Sequence, residues 1–441
     1  MNSRIQAILF ALTALLLFAP AIQQQTGLFK FKELSGVVYS NPKPRWTWHN
    51  LIGGGLQDST EAYLQQNFGF REPLTRLYNQ TEWALFRYSQ VAEDKRIVIT
   101  RDNWIFEPWN VEEYYQSLTY QFAKDSAEMA EKLENEAQRL LQVQQLLEPY
   151  GTHLFVALLP GKELVCAEHL PENPGYYKEK AITAYDFYRT RFKELGVNYI
   201  DLGEWFVQMK NTVSYPLFPQ TGTHWSNLAA IHSTDTLIRY MEWLSDSNMV
   251  NITIGDVYQR TLKPDADLES LMNLIWPIQK APNFLVPTCY DFDTTAWRPK
   301  LITVGDSFYW NILGFTPVWD VFESVPYWYY FSTVYFDSDD LLETRNINDL
   351  DVLQEVTDAD FVMLSYSTVS LYKMSNGFSE QLLKELEQKQ KTGQYVRLPN
   401  PPTPLGRWNC NRTKHVRLPQ CDSTKHVRLP QCDSPTEQLN N

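Results

Sequence analysis

Two short motifs supply the residue types that acyl transfer needs, and the first contains Ser307. Four β-favouring residues, 301–304, lead into Gly305-Asp306-Ser307, and an aromatic segment that can form a helix begins at Phe308. This pattern predicts a buried strand, a tight turn and a helix, with the serine hydroxyl exposed above the sheet edge. Backbone N–H groups at the helix start would face the same point, where they can hold the negative oxygen that forms when a carbonyl is attacked.

A serine is a weak nucleophile without a base, and the best candidate lies upstream at Gly222-Thr223-His224-Trp225. Ser226 is predicted to cap a helix, whose N-terminus disfavours imidazolium and so favours the neutral imidazole of a general base. Two structural readings stay open from these residues alone. The Gly-Asp-Ser turn also suits a plain helix cap, and His224 also suits a buried histidine held by hydrogen bonds.

Strands that alternate with long helices must position these residues. Helices are predicted at residues 60–90, 125–147, 176–195, 226–244 and 379–390, and strands at 153–159, 198–202, 301–304 and 361–364. Residues 96–106 read as a hairpin with Asp102-Asn103 in its turn, and residues 215–218 read as a further short strand. This order predicts a mostly parallel sheet covered on both faces, with ligands beyond the carboxyl ends of the strands, where Ser307 lies.

Composition narrows the functional classes. The chain has 441 residues, 44% of them hydrophobic, which is enough for a large core, and its net charge of −13 argues against binding to nucleic acid or to an anionic membrane surface. Aromatic residues make up 14% of the chain, a content that favours carbohydrate ligands only weakly. The five cysteines show no CxxC pair and no spacing typical of zinc, so no metal site and no cofactor is predicted.

The first 24 residues predict export. Arg4 precedes an apolar run at residues 7–22, which suits either a short uncleaved anchor or a signal peptide cleaved near Ala19-Pro20-Ala21. The poor cleavage site favours the anchor.

Four segments follow from these patterns. Residues 1–24 form the signal segment, residues 25–120 an N-terminal lead-in with helical and hairpin parts, and residues 121–390 the α/β domain. Residues 391–441 are rich in proline and contain a perfect tandem repeat, Thr-Lys-His-Val-Arg-Leu-Pro-Gln-Cys-Asp-Ser, which predicts disorder and not a solenoid or a metal tract.

The motifs, in their order, resemble the alginate O-acetyltransferase family of SGNH hydrolase-like acyltransferases. The resemblance covers residues 60–380 and rests on Gly-Thr-His-Trp followed by Gly-Asp-Ser-Phe, with histidine before serine, in contrast to ordinary SGNH hydrolases. Further matching segments are Asn67-Phe68-Gly69-Phe70-Arg71, Leu158-Leu159-Pro160-Gly161-Lys162, Leu170-Pro171 and Asp201-Leu202. The resemblance implies a three-layer α/β/α sandwich with a mostly parallel sheet.

The resemblance also implies a function. Ser307 would carry an acetyl group to hydroxyls of an exported polysaccharide, with His224 moving protons, and a membrane-bound acyltransferase would supply the acetyl groups. The protein would lie in the periplasm, held to the inner membrane by its N-terminal segment, or be secreted if that segment is cleaved.

One departure weakens the resemblance: the family has Asp-x-His-Trp, and this chain has Gly222 at the aspartate position. In serine proteases, loss of the orienting aspartate lowers kcat about 10⁴-fold. Three readings remain open. Another carboxylate, Asp306 or Asp201, takes over; or a Ser–His dyad works with a backbone carbonyl; or the site is inactive and the protein is a polysaccharide-binding or assembly module.

Candidate substrate contacts follow Ser307 in the aromatic stretch at residues 325–336. Trp328 and Tyr329 could stack on a sugar ring, although an aromatic strand or core cluster explains them better. Lys162 could meet an anionic sugar, although its position suits a solvated loop lysine better. Asn311 could add an oxyanion donor but lies inside the predicted helix. An acetylesterase would use the same residues with water as the acceptor, so the sequence does not separate it from a transferase.

Overall fold

The computed structural model describes residues 3–36, 43–87, 90–92, 95–116, 126–171, 182–259, 263–278, 285–287, 290–291, 296–338 and 341–391. The described chain divides into two compact units, one of residues up to Ile97 together with Leu268–Ile278, and one of Val98–Asp267 together with the residues after 278. Cys289 and the repeated tail after residue 391 lie outside the described residues.

The first unit is helical. Its elements are α1 (Ser3–Thr26), α2 (Trp48–Ile52), α3 (Gly55–Asn67), α4 (Arg71–Phe86) and the short strands β1 (Gln90–Ala92) and β2 (Lys95–Arg96). Within α1, the segment Arg4–Thr26 contains an 18-residue stretch with a mean hydropathy of 2.3, and this helix is long and apolar enough to cross a membrane. The single helix predicted at residues 60–90 is instead two helices, with Phe70 between them in the left-handed region at φ 68°. Gly69 in the same link lies against α1, where a Cβ atom would be 2.0 Å from the Pro20 carbonyl oxygen.

The second unit contains the α/β domain. Its strands are β3 (Val98–Ile99), β4 (Ile105–Phe106), β5 (His153–Leu159), β6 (Tyr199–Asp201), β7 (Thr253–Ile254), β8 (Val257–Gln259), β9 (Leu285–Pro287), β10 (Tyr290–Asp291), β11 (Leu301–Gly305), β12 (Tyr327–Tyr329), β13 (Thr333–Ser338), β14 (Leu341–Asn346) and β15 (Phe361–Ser367). Its helices are α5 (Pro108–Gln116), α6 (Ser126–Leu147), α7 (Lys162–Val165), α8 (Ala184–Leu195), α9 (Leu202–Met209), α10 (Asn227–Ser245), α12 (Tyr309–Phe315), α13 (Val318–Val321), α14 (Val352–Thr357) and α15 (Phe378–Lys391). A further helix, α11 (Asp267–Leu271), begins at Asp267, the last residue of the first segment of this unit.

Seven strands form the main sheet, in the order β14-β13-β12-β11-β15-β5-β6. The pairs β12–β11, β11–β15, β15–β5 and β5–β6 are parallel, and β12–β13 and β13–β14 are antiparallel. The prediction of a mostly parallel sheet is confirmed. Strand β11, which leads to Ser307, is the middle strand, so the serine lies at the centre of the carboxyl edge.

Alternate side chains of the strands enter two separate hydrophobic clusters, one on each face of the sheet. In β5, Phe155 and Ala157 join a cluster with α9, α10 and α12, whereas Leu154 and Val156 join a cluster with α6, α8 and α15. Helices therefore cover both faces, which confirms the α/β sandwich. This pattern explains why β5 reads as a continuous apolar run.

Among the smaller elements, some sequence predictions are confirmed and others are wrong. The hairpin of β3 and β4 forms as predicted, with Asn103 in the left-handed region at φ 64°. Residues 215–218 are not a strand, which corrects that prediction; they form turns, and the Leu217 carbonyl accepts from Ser226 N–H at 2.8 Å. The helix predicted from residue 176 is described from Ala184, where Thr183 and Asp186 form a reciprocal cap.

Candidate active site

Ser307 lies in a turn that a glycine makes possible. Gly305 ends β11, and a Cβ atom there would be 2.4 Å from the Ser365 carbonyl oxygen of β15, so only glycine lets the two strands approach this closely. Asp306 N–H donates to the same Ser365 carbonyl at 3.1 Å. The side chain of Ser307, which follows, is partly exposed.

His224 is fixed by the residue that follows it. Trp225 is fully buried, its indole N–H donates to the Phe308 carbonyl at 3.2 Å, and its own carbonyl accepts from Asn311 Nδ2 at 2.9 Å. The Phe308 ring meets the His224 ring edge-on, with the centroids 5.0 Å apart. These contacts join the histidine segment directly to the turn that carries the serine.

Ser307, His224 and Asp267 form a continuous hydrogen-bonded chain. His224 Nε2 lies 3.0 Å from Ser307 Oγ, and His224 Nδ1 lies 2.7 Å from Asp267 Oδ2. The other carboxylate oxygen of Asp267 accepts from Thr223 N–H at 2.8 Å, so two adjacent residues hold the carboxylate in line with the imidazole. This is the arrangement of nucleophile, base and orienting acid found in serine hydrolases.

The surroundings favour the protonated form of His224. Burial lowers the pKa of His224, but the hydrogen bond and negative charge of Asp267, together with the charges of Glu107 and Asp306, outweigh it, so the net pKa lies above its usual value of 6.5. Asp267 therefore stabilises the imidazolium that forms when the histidine takes a proton.

Glu107 is a second carboxylate beside this chain. Its Oε2 accepts from the Thr223 hydroxyl at 2.7 Å and from Trp109 Nε1 at 2.8 Å. Burial raises the pKa of Glu107, and the charge of Asp267 raises it further. Thr223 thus connects two acids, donating its backbone N–H to Asp267 and its hydroxyl to Glu107.

The two carboxylates expected to orient His224 are engaged elsewhere. Asp306 is 1% exposed, and its carboxylate accepts from the backbone N–H and hydroxyl of Ser367 and from Phe308 N–H. Asp201 caps α9 by accepting from Glu204 N–H at 2.9 Å and also accepts from the Tyr185 hydroxyl. Both expectations are corrected, because Asp267 occupies the position behind His224.

The predicted role of Lys162 as a sugar contact is wrong. Lys162 is 0% exposed, and its ammonium donates to the carbonyls of Ile105, Gln220 and Gly222 at 2.6, 3.0 and 2.6 Å. Burial lowers its pKa to about 8. All three N–H groups are occupied, so Lys162 instead ties the segment before His224 to strand β4.

Two aromatic predictions have different outcomes. Trp328 is 0% exposed and packs on Phe331 and Phe378, so it belongs to the core and cannot stack on a sugar, which corrects that expectation. Tyr329 stays partly exposed beside Tyr330, with ring centroids 4.5 Å apart, and its substrate contact remains a prediction. Asn311 is buried and donates to Trp225, which removes it as an oxyanion donor.

Sequence reasoning found Ser307 and His224 but missed Asp267 and Glu107. The signal for Asp267 is weak: it is one acid among several in the segment Pro-Asp-Ala-Asp-Leu-Glu, 43 residues after His224. Within the described residues there is also no group of three or more His, Cys, Asp or Glu side chains that could hold a metal ion.

Comparison with known proteins gives a match to a family model over part of the chain. Residues 97–293 match the family model of the SGNH hydrolase-like domain, acetyltransferase AlgX; this region includes His224 and Asp267 and ends before Ser307. No curated protein matches the chain in sequence.

Solved structures with a similar fold include the O-acetyltransferase domain of Pseudomonas putida AlgJ, at 16% identity and a TM-score of 0.42, over 66% of this chain and 99% of that one. Pseudomonas aeruginosa AlgX matches at 13% identity and a TM-score of 0.38, over 65% of this chain and 66% of that one. Bacillus cereus PatB1 with a sulfonyl adduct matches at 13% identity and a TM-score of 0.38, over 64% and 97%. Over residues 97–293, this chain is therefore similar to the SGNH hydrolase-like domain of the AlgX acetyltransferase family.

Proposed function

We propose that this protein is an O-acetyltransferase that moves an acetyl group to hydroxyls of an exported polysaccharide through Ser307, His224 and Asp267. The observation that carries the proposal is the unbroken hydrogen-bonded chain from Asp267 through His224 to Ser307. The aspartate expected at position 222 is absent, but Asp267 supplies a carboxylate next to the imidazole.

In the first half-reaction, Ser307 Oγ forms a bond to the carbonyl carbon of an acetyl donor, and His224 Nε2 takes the hydroxyl proton. The π electrons of the carbonyl move to its oxygen. When the tetrahedral intermediate collapses, the bond to the leaving oxygen breaks and His224 returns the proton to that oxygen. The acetyl group is then an ester on Ser307.

The second half-reaction repeats these steps with a sugar hydroxyl. His224 removes the proton of the hydroxyl while its oxygen attacks the acetyl carbon, and the proton then passes to Ser307 Oγ as that oxygen leaves. The products are the acetylated sugar and free Ser307. Asp267 keeps Nδ1 protonated, so that Nε2 faces the serine as the basic nitrogen in each half-reaction.

The proposed location follows from α1 and from the resemblance. An apolar helix at the N-terminus suits an anchor in the inner membrane or a signal peptide that is removed, and with either one the domain would lie in the periplasm or outside the cell. A membrane-bound acyltransferase that delivers acetyl groups is the partner the resemblance implies. Tyr329, partly exposed near Ser307, is the residue proposed to contact the sugar.

The test compares wild type with Ser307→Ala and His224→Ala, using 4-nitrophenyl acetate as donor and a polysaccharide or oligosaccharide as acceptor. We expect both variants to lose release of 4-nitrophenol and formation of a serine-bound acetyl group detectable by mass spectrometry. Equal rates for wild type and Ser307→Ala would overturn the proposal and leave a binding module. Acetate released only to water, with every acceptor left unmodified, would instead assign an esterase.

A further inference from the structure

Helix α4 in the first unit exposes an apolar face. Leu74, Leu77, Tyr78 and Leu85 recur at the spacing that places them on one side of a helix, and their exposed fractions lie between 49% and 68%. These four residues form the α4 stripe. A helix on the surface of a water-soluble protein buries such a stripe against the core and turns its polar side to water. In α4 the apolar side is the outer one.

The opposite side of α4 faces inward and carries polar residues. Asn79 Nδ2 donates to the Met272 carbonyl at 2.7 Å, and Gln80 Oε1 accepts from Trp276 N–H at 3.0 Å. Trp83, on the same side, is only 6% exposed. The first unit therefore holds α4 by its polar side, and this internal packing directs the α4 stripe outward.

The outer face of α4 is also free of charge. Between Leu74 and Leu85, the exposed residues other than the α4 stripe are Thr81 and Ala84. Water-soluble surfaces usually mix charged residues into such a face. A contiguous uncharged apolar surface marks a contact with a membrane or with another protein.

The contact of α4 with α1 favours the membrane. The apolar stretch of α1 is long enough to cross a bilayer and is 0% buried. Gly69, in the link before α4, lies against the Pro20 carbonyl near the carboxyl end of α1. The Phe70 ring packs on the Phe29 ring, with centroids 6.1 Å apart. Since α4 begins beside this end of α1, it begins where α1 would leave the hydrocarbon.

Exposed tryptophans in the same unit belong to the residue type that is enriched at membrane surfaces. Trp46 and Trp48, at the start of α2, are 81% and 79% exposed, and Trp276 is 67% exposed. Tryptophan and tyrosine concentrate at the level of the lipid headgroups, because the ring is apolar while its N–H or O–H stays hydrated. Tyr78 of the α4 stripe has the same chemistry.

We propose that the α4 stripe lies on the surface of the lipid bilayer that α1 crosses, with its apolar side chains inserted among the lipids. This inference rests on the proposed location of the protein and does not depend on the acyl-transfer chemistry. A helix held in this way lies in the plane of the interface, with its apolar face buried about 5–10 Å. The first unit would then be seated on the membrane through α4 as well as tethered to it through α1.

The test measures the surroundings of nitroxide spin labels on single cysteines. The full chain, with its native cysteines replaced by alanine, is placed in liposomes of palmitoyl-oleoyl phosphatidylcholine. Dissolved oxygen relaxes a label in lipid, a water-soluble nickel chelate relaxes a label in water, and neither relaxes a label covered by protein. We expect Leu77→Cys and Leu85→Cys to show a several-fold higher ratio of oxygen to nickel accessibility than a label in water.

Two reference positions calibrate this ratio. Leu16→Cys is the lipid reference, because Leu16 is 73% exposed within the apolar stretch of α1. Gln388→Cys is the matched reference in water, since Gln388 is an exposed residue of α15 in the other unit. If Leu16→Cys reports lipid while Leu77→Cys matches Gln388→Cys, the inference is overturned and the anchor stands. Low accessibility of Leu77→Cys to both reagents would show a protein partner there and would also overturn the inference.

The remaining outcomes concern α1 and the fold of the variants. If Leu16→Cys reports water, or if mass spectrometry shows that the purified chain has lost its first residues, the inference and the anchor fail together. If the cysteine variants do not fold, a benzophenone amino acid at position 77 of the otherwise unchanged chain replaces them. Irradiation in the same liposomes should then give lipid adducts at position 77 and none at position 388, and their absence at 77 would overturn the inference. The Ser307→Ala assay is separate, so failure of the proposed chemistry is recognised independently.

Discussion

Asp267 Oδ2 lies 2.7 Å from His224 Nδ1 although the two residues are 43 positions apart in the chain. The resemblance to the alginate O-acetyltransferase family predicts an aspartate two residues before the histidine, at the position where this chain has Gly222. The same carboxylate position is thus filled from a different segment. The predictions below separate this acid from its neighbours.

Asp267→Asn should abolish most activity and leave the fold intact. The amide cannot stabilise imidazolium and can hold the wrong tautomer, so we expect kcat to fall about 10⁴-fold, as in the serine protease template. Steady-state kinetics with 4-nitrophenyl acetate measure the loss, with circular dichroism as the folding check. Asp201→Asn is the control, because Asp201 caps α9; a comparable loss of kcat in both variants would contradict the role of Asp267.

The pH dependence should report His224. Its base function needs the neutral ring, and the pKa of His224 lies above 6.5, so kcat/KM should rise with pH and reach half its maximum above pH 6.5. Asp267 raises that pKa, and therefore the residual activity of Asp267→Asn should reach half-maximum at a lower pH than wild type. A midpoint that stays in place or moves upward would show that Asp267 does not set this pKa.

Glu107→Gln should move the same midpoint by a smaller amount. The charge of Glu107 raises the pKa of His224, but it stands behind Asp267 among the contributions. We expect a downward shift smaller than that of Asp267→Asn, with kcat at high pH nearly retained because Asp267 still orients the ring. Measuring kcat/KM against pH in both variants shows which midpoint shifts further. A larger shift in Glu107→Gln would show that Glu107, and not Asp267, makes the larger contribution to the pKa of His224.

Lys162→Met should destabilise the domain and lower activity through position, not chemistry. Three buried carbonyls, those of Ile105, Gln220 and Gly222, lose their donor, which we expect to cost about 2–5 kcal/mol of unfolding free energy. Urea unfolding measures the cost. Since Gly222 immediately precedes Thr223, the remaining folded protein should also show a lower kcat. Unchanged stability would contradict the role of Lys162 as a structural tie.

The sequence was sufficient for the sheet and for two members of the site because their signals are local. Strand β5 is one apolar run, and Ser307 and His224 follow recognisable strand-end and helix-start patterns. Asp267 could not be found this way, since only the three-dimensional path of the chain brings its short segment behind His224. The prediction that Asp306 orients His224 is wrong. Asp306 is next to Ser307 in sequence, but its carboxylate points into the sheet, towards Ser367.

For Lys162 and Trp328, the sequence suggested exposed side chains that the structure instead buries. A lysine after a strand usually lies in solvent, and a run of aromatics after the serine suits a ligand surface, yet both side chains are 0% exposed. Burial of a charge was not readable from the residues, because the three carbonyls that make it tolerable come from two other segments.

The order of strands in the main sheet has a practical meaning for anyone who expresses part of this protein. A recombinant fragment cut to residues 97–293 would retain His224 and Asp267 but would lack β11, β12 and β15. Only β5 and β6 of the main sheet would remain, without the middle strand that joins its two halves. Such a fragment should be insoluble or unfolded, so a truncation meant for crystallisation or enzymology has to extend through α15 at Lys391.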